Sequence, residues 1–251
     1  MKLQAHKGVS TEFPENTMPA FVAAIEQGYS MIELDVGVTK DLRFVLLHDD
    51  TLNRTARKTD GSMLEDKIAI SDITYEQALE YDFGVWRSEE FKGTKIALLE
   101  DVLELAQNAG IGIKIDNKYQ RFNEKEKKAF FELLKPYETV ASLTCSQMKE
   151  LAQAKAVFPK MSFHYDGEIS KEKLELVSKI VPREQLTVWI PYQNRFTSWF
   201  QGAFVNEELV ALIKEYAVLG IWLLAEQEEL EIAEKYGAEI VETNGHLKPR
   251  T

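Results

Sequence analysis

The sequence predicts an α/β fold, a (β/α)8 TIM barrel with a small insertion after the second strand. Three observations predict it. The chain has 251 residues, close to the ~250 typical of such a barrel. Short apolar runs alternate with longer amphipathic stretches, which argues for βαβ units around a parallel sheet. Nine strand candidates can be read, and one of them belongs to a hairpin, which leaves eight for the barrel.

The elements follow in order. Residues 3–6 make a first strand that ends in His6-Lys7. Asn16 is placed to cap a helix over residues 17–27, and Gly28 to close it. Residues 31–36 form the second strand, and only a short link around Lys40-Asp41 separates it from the candidate at 43–48. Parallel strands need a crossover of a dozen or more residues, so this pair is an antiparallel hairpin. Residues 49–95 break the rhythm: polar and charged, with DG, FG and KG turns and the aromatics Phe83 and Trp86. They are expected to be an insertion covering the C-terminal face of the barrel. Strands then follow at 111–116, 139–143, 160–163, 186–190, 218–224 and 238–242. Helices at 100–108, 124–134, 146–154, 171–179, 207–215 and 227–235 separate or precede them, with Gly110 and Gly237 closing two. The run Glu226-Gln227-Glu228-Glu229 starts the last helix, where negative charge is favoured. No repeat, low-complexity tract or linker interrupts the chain, so residues 1–251 should form a single β/α-barrel catalytic domain.

Composition narrows the function. Hydrophobic residues make up 45% of the chain, and 30 basic against 41 acidic residues leave a net charge of -11. Such a surface repels nucleic acid and anionic membrane, so neither is expected as a partner. An anionic small-molecule substrate would need local positive charge from a metal or clustered lysines. The one cysteine, Cys145, rules out an internal disulfide and is expected to be a buried, inert thiol. The start MKLQAHKG has no apolar signal stretch, and no run approaches 18 apolar residues. A cytoplasmic protein without integral membrane association is the expectation; the sequence sets no oligomeric state.

Barrel enzymes place their chemistry at the C-terminal ends of strands. Those ends read His6-Lys7, Glu33-Leu34-Asp35 and Asp116-Asn117-Lys118. Glu33 and Asp35 are two apart on a strand, so their carboxylates share a face and repel. Alternating solvent-facing acids would explain that pair alone. Asp116 adds a third carboxylate and tilts the reading to a divalent cation, Mg²⁺ or Ca²⁺, which hard oxygen ligands suit. With the hairpin turn centred on Lys40-Asp41, His48 would fall opposite Glu33 and His6 would approach the same cavity. Two imidazoles can act as base and acid near neutral pH. Lys7 and Lys118 flank the cluster and would complete a phosphate pocket. There is no G-x-x-x-x-G-K, G-x-G-x-x-G or H-E-x-x-H, so nucleotide-loop and zinc-protease readings lack an anchor.

The stretch AHKG…PENTMPAF…AIEQGYSMIELDVGVTKD…FVLLHDDTLNRT resembles the signature of glycerophosphodiester phosphodiesterases, which runs HRG, PENT, E-x-D, TKDG, HD and LxRT. DFGVW, KIALLEDVLELA, KIDNK, GIWLLAE and GAEIVETNG fit more loosely. The resemblance implies a β/α barrel that hydrolyses a glycerophosphodiester to glycerol 3-phosphate and an alcohol. It implies His6 and His48 as acid and base, Glu33, Asp35 and Asp116 as metal ligands, and Lys118 on the phosphate. It also implies Trp222 as a wall of the substrate pocket, though an ordinary core tryptophan reads as well. Departures stand out. Lys7 replaces an arginine and loses its bidentate fork. Asp116 replaces a glutamate, Leu42 the turn glycine of TKDG, Ala97-Leu98 a Pro-Thr, and Asn244 an aspartate.

Two further readings keep the cavity. One is a lyase or transferase acting on lysophospholipid-like phosphodiesters through a cyclic phosphate. The other is a non-catalytic barrel that binds a phosphorylated ligand. His164 and His246 read as surface or loop histidines. The aromatic run Phe196-Thr197-Ser198-Trp199-Phe200, with Phe204, could cap the substrate, touch lipid, pack on the insertion or form a dimer contact.

Overall fold

The computed structural model describes residues 1–192 and 205–249 of the chain. The aromatic run at 196–204 lies outside them. Strand β1 (Lys2–His6) leads into α1 (Met18–Glu26), and β2 (Met31–Leu34) into a hairpin of β3 (Val36–Val38) and β4 (Phe44–Leu46). Beyond the hairpin lies a segment whose only α-helix is the four-residue α2 (Tyr75–Ala78). Then come α3 (Leu99–Ala109), β5 (Gly112–Ile115), α4 (Glu124–Leu134), β6 (Ala141–Cys145), α5 (Met148–Val157), β7 (Ser162–Tyr165) and α6 (Lys171–Ile180). The chain continues with β8 (Leu186–Pro191), α7 (Glu207–Tyr216), β9 (Val218–Trp222), α8 (Gln227–Lys235) and β10 (Ile240–Thr243).

Eight strands close a parallel barrel in the order β1-β10-β9-β8-β7-β6-β5-β2. Local chemistry sets the helix starts. Asn123 and Glu126 form a reciprocal cap on α4, Glu226 and Glu229 one on α8, and Ser170 and Asn206 accept from the first turns of α6 and α7. Gly110 ends α3 at φ 70°, a left-handed conformation that glycine adopts without strain. Asn16 does not cap α1. Thr17 occupies that position, while Asn16 sits at φ 56° with its side chain turned to Asp35.

Strand residues alternate. Leu3, Ala5, Ile32, Leu34, Ile113, Ile115, Leu143, Val188, Ile190, Leu219, Ile221 and Val241 are buried in the main apolar core. The intervening positions Gln4, Glu33, Lys114, Ser142, His164, Trp189 and Glu242 are buried as well. The barrel interior is therefore polar, and its groups must satisfy one another.

The sequence predicts a hairpin that extends the second strand; instead the run 31–36 divides. Residues 31–34 join the barrel, and β3 and β4 form a separate two-stranded sheet with Val36 opposite Leu46. The ladder stops short of Glu33, so His48 is not its cross-strand partner. Both edges of β2 are already taken, with Glu33 aligned to His6 on β1 and to Lys114 on β5.

Residues 49–95 carry a second apolar cluster that includes Leu52, Ile70, Ala78 and Phe83. Arg54 bonds Glu15 at 2.7 and 2.9 Å, and Arg87 bonds the Thr11 carbonyl oxygen. Those contacts lie in the loop leaving the C-terminal end of β1. No helix among the described residues is long and apolar enough to cross a membrane.

Candidate active site

A cavity of about 210 Å³ opens inside the ring, lined by His6, Glu33, Asp35, His48, Lys114, Asp116, Thr144, Asp166, Trp189, Trp222 and Glu242. The six residues His6, His48, Glu33, Asp35, Asp116 and Trp222, expected from sequence, thus all line one cavity. Lys7 lines an adjoining hollow of about 560 Å³ that shares His6 and extends to Trp86, Arg87, Asn244 and His246. Lys118 reaches the first cavity by its ammonium, 2.7 Å from Asp35 Oδ1, with Lys7 Nζ 3.8 Å from Asp35 Oδ2.

Strand ends and turns aim these groups. His6 closes β1, and its Nδ1 lies 2.6 Å from Asn244 Oδ1, beyond the end of β10. An amide oxygen only accepts, so Nδ1 donates and Nε2 keeps its lone pair, 3.8 Å from Glu33 Oε2. Burial lowers the pKa of His6, and the nearby carboxylates and Asn244 only partly offset it. His48 follows β4 and is exposed; its Nδ1 sits 2.6 Å from Asp49 Oδ1. Asp49 in turn is held by Arg54 Nε at 2.7 Å. Each imidazole is oriented through Nδ1, which leaves Nε2 available.

The carboxylates strain against one another. Burial first, then Asp35 and Glu242, push the Glu33 carboxyl well above its usual range. Asp116 is raised by burial and by Asp35. Asp35 goes the other way: burial opposes ionisation, but Lys118, Lys7 and His48 outweigh it and hold the pKa at about 2. Asn16 fixes that side chain, donating from Nδ2 to Oδ2 at 2.9 Å and accepting from the Asp35 amide at 3.1 Å. Hard oxygen donors crowded so that they resist ionising together suit a divalent cation. Yet among the described residues no three His, Cys, Asp or Glu side chains converge closely enough to hold one. Lys118 on Asp35 supplies the nearest positive charge.

Several cavity residues were not anticipated. Lys114 Nζ bonds Glu242 Oε2 at 2.9 Å and lies 4.2 Å from the Trp189 ring centre. Lys114 is two residues before Asp116 on a strand, so period-two alternation could have placed it on the same face. Thr144, Asp166 and Trp189 had no local signal, whereas Glu242 closes the apolar run 238–242 and carried the same signal as Asp116. His164 is a correction. It is 1% exposed, with Nε2 2.8 Å from Ser142 Oγ and Nδ1 accepting from Trp189 Nε1 at 2.8 Å. Burial pushes its pKa well down, so it is a neutral interior ring. His246 is exposed, and Cys145 is buried with its thiol pKa raised to about 12, chiefly by burial.

The Glycerophosphoryl diester phosphodiesterase family model matches residues 6–241. A glycerophosphodiester phosphodiesterase of Bacillus altitudinis is 38% identical over 130 residues, 51% of this chain and 50% of that protein. One from Caldanaerobacter subterraneus is 38% identical over 133 residues, 51% of each. The aligned region thus spans about half the length of the curated relatives it matches. Among solved structures, an Oleispira antarctica phosphodiesterase in complex with the product sn-glycerol-3-phosphate superposes with a TM-score of 0.77 at 20% identity. That match covers 98% of this chain and 93% of the other, and it bears on the fold.

Proposed function

Because the chain belongs to the glycerophosphoryl diester phosphodiesterase family, we propose that it hydrolyses a glycerophosphodiester to glycerol 3-phosphate and an alcohol. The observation that carries this reading is the meeting of His6, His48, Glu33, Asp35 and Asp116 around one cavity. Support also comes from relatives named for that activity and from the fold neighbour solved with sn-glycerol-3-phosphate.

Glu33, Asp35 and Asp116 are the candidate ligands of a divalent cation, Mg²⁺ or Ca²⁺. As placed they do not converge on one point, so they would have to draw together around it, and a cation so held would polarise the phosphate and offset its charge. Lys118 and Lys7, both within 4 Å of Asp35, place ammonium charge where the phosphate oxygens would lie. His6 and His48, each held through Nδ1, offer Nε2 for proton transfer. One removes a proton from the nucleophile, which is water or a neighbouring glycerol hydroxyl whose cyclic phosphate water then opens, and the other protonates the departing alkoxide. Trp222 walls the cavity. Trp86 and Arg87 border the hollow that adjoins His6, and residues 49–95 would by this reading cover the mouth from which the alcohol leaves.

The test is release of glycerol 3-phosphate from a glycerophosphodiester in Mg²⁺ or Ca²⁺, by wild type and by His6→Ala and His48→Ala. Each variant should be slower by ~10²-fold or more. Wild-type rates in both would remove the histidines from the mechanism. A cyclic phosphate seen by phosphorus NMR would make the enzyme a lyase or transferase.

A further inference from the structure

The wall of the cavity facing His6 carries polar atoms with nothing to bond. Thr144 is 1% exposed and its Oγ1 has no hydrogen-bond partner. Asp166 Oδ1 is buried and without a partner too, although Asp166 Oδ2 accepts from Asn117 Nδ2 at 2.8 Å. Both residues line the cavity. They stand on or just beyond β6 and β7, paired strands on the side of the ring away from β1. Folded proteins keep few buried polar atoms unsatisfied, because each has given up water for nothing. Two on residues that line one cavity call for a ligand's polar groups.

Their chemistry says which groups. A phosphate oxygen is repelled by the Asp166 carboxylate, whereas an alcohol hydroxyl can donate to it. The Thr144 hydroxyl can donate or accept. The cations Lys7 and Lys118 gather at Asp35, so a phosphate held there would turn its ester arm elsewhere. We propose that Thr144 and Asp166 form the subsite for the glycerol half of the substrate, taking its two free hydroxyls and thereby selecting glycerol esters. This rests on the phosphodiesterase reading and specifies which residues recognise the substrate. Asn117 holds the Asp166 carboxylate by Oδ2 and leaves Oδ1 without a partner.

Calorimetric binding of three probes in one divalent salt tests it: sn-glycerol 3-phosphate, 3-hydroxypropyl phosphate, which lacks the middle hydroxyl, and inorganic phosphate. Product analogues are used because a missing hydroxyl cannot then act as a missing nucleophile. Wild type should bind glycerol 3-phosphate ~10-fold or more tighter than 3-hydroxypropyl phosphate. Thr144→Val and Asp166→Ala should erase that preference while leaving inorganic phosphate unaffected, and Thr144→Ser should keep it. Valine nearly matches threonine in volume and breaks no internal hydrogen bond, so the fold should survive; a thermal melt checks this. A wild type that does not discriminate, or variants that still do, would overturn the subsite while leaving the phosphodiesterase reading intact. Equal loss of phosphate binding would place the two residues on the phosphate and overturn it as well. Wild type that binds none of the probes would sink the phosphodiesterase reading and the subsite with it.

Discussion

Lys114 and Glu242, 128 residues apart, meet inside the barrel with Nζ 2.9 Å from Oε2 and side chains 8% and 5% exposed. Burial alone would favour neutral lysine, yet Glu242 and Glu33 keep its pKa above the ordinary value. Burial would likewise raise Glu242, but Lys114 and His6 hold it below. Removing one partner of such a pair leaves an uncompensated buried charge. Lys114→Met should therefore cost ~3–5 kcal/mol of stability, measured as a shift in urea midpoint. Lys114→Met combined with Glu242→Leu should recover most of that loss. If the double variant is no more stable than the single one, the pair is not the cause.

Asn244 is the partner that fixes His6. Asn244→Leu should lower kcat about 10-fold, the worth of one hydrogen bond of ~1–1.5 kcal/mol, with little change in KM. Asn244→Asp keeps an acceptor oxygen and should retain the ring orientation. Nitrogen NMR of the His6 ring reads this directly: wild type and Asn244→Asp should carry the proton on Nδ1, and Asn244→Leu should show mixed tautomers.

If Glu33, Asp35 and Asp116 draw together around a divalent cation, it should relieve the repulsion among them. At ~100 times its Kd a bound cation adds about 2.7 kcal/mol, so Mg²⁺ or Ca²⁺ should raise the melting temperature and a chelator should reverse it. In Glu33→Gln or Asp116→Asn the cation should raise it less. A wild type whose melting and turnover both ignore chelation would mean that Lys7, Lys114 and Lys118 neutralise the cluster unaided.

Asp82 anchors the 49–95 segment. It is 3% exposed and accepts from the amides of Gly84 at 2.8 Å, Val85 at 2.9 Å and Gly93 at 2.5 Å. Burial would raise its pKa, but these three amides together lower it. A folded pKa below the unfolded value means the stabilisation is complete above the unfolded value, ~3.9, and fades as pH falls through the folded one. Asp82→Asn should cost ~1–3 kcal/mol at neutral pH. It should also flatten the acid limb of a stability–pH curve, and an unchanged limb would exclude Asp82 from acid unfolding.

The barrel was legible because parallel strands need long crossovers, and the one short connection betrayed the hairpin. What escaped was decided across the ring. Strands β6 and β7 end two residues later than their apolar runs suggested, at Cys145 and Tyr165. The C-terminal rim was therefore misplaced there; Thr144 and Asp166 went unnoticed, and His164 read as lying beyond its strand. His164 reads as exposed because its partners, Ser142 and Trp189, lie 22 and 25 residues away in sequence. The alternation from Glu33 to Val36 runs on without a break, so nothing local announces that the backbone leaves the barrel at Asp35. Asn16 makes that departure, by binding the Asp35 amide and carboxylate. The carboxylates and histidines were legible because an ionisable group at the end of an apolar strand carries a desolvation cost that only a ligand or a partner offsets.

The last seam of the barrel joins β1 to β10, with Leu3 aligned to Val241 and Ala5 to Thr243. His6 is made early, but the Asn244 that turns its ring follows 238 residues later. During synthesis, the earlier strands can gather on emerging from the ribosome while the circle stays open, with two unpaired edges bare. A translation product cut short before β10 would hold His6, Glu33, Asp35, His48 and Asp116, yet form a sheet with a gap instead of a vessel.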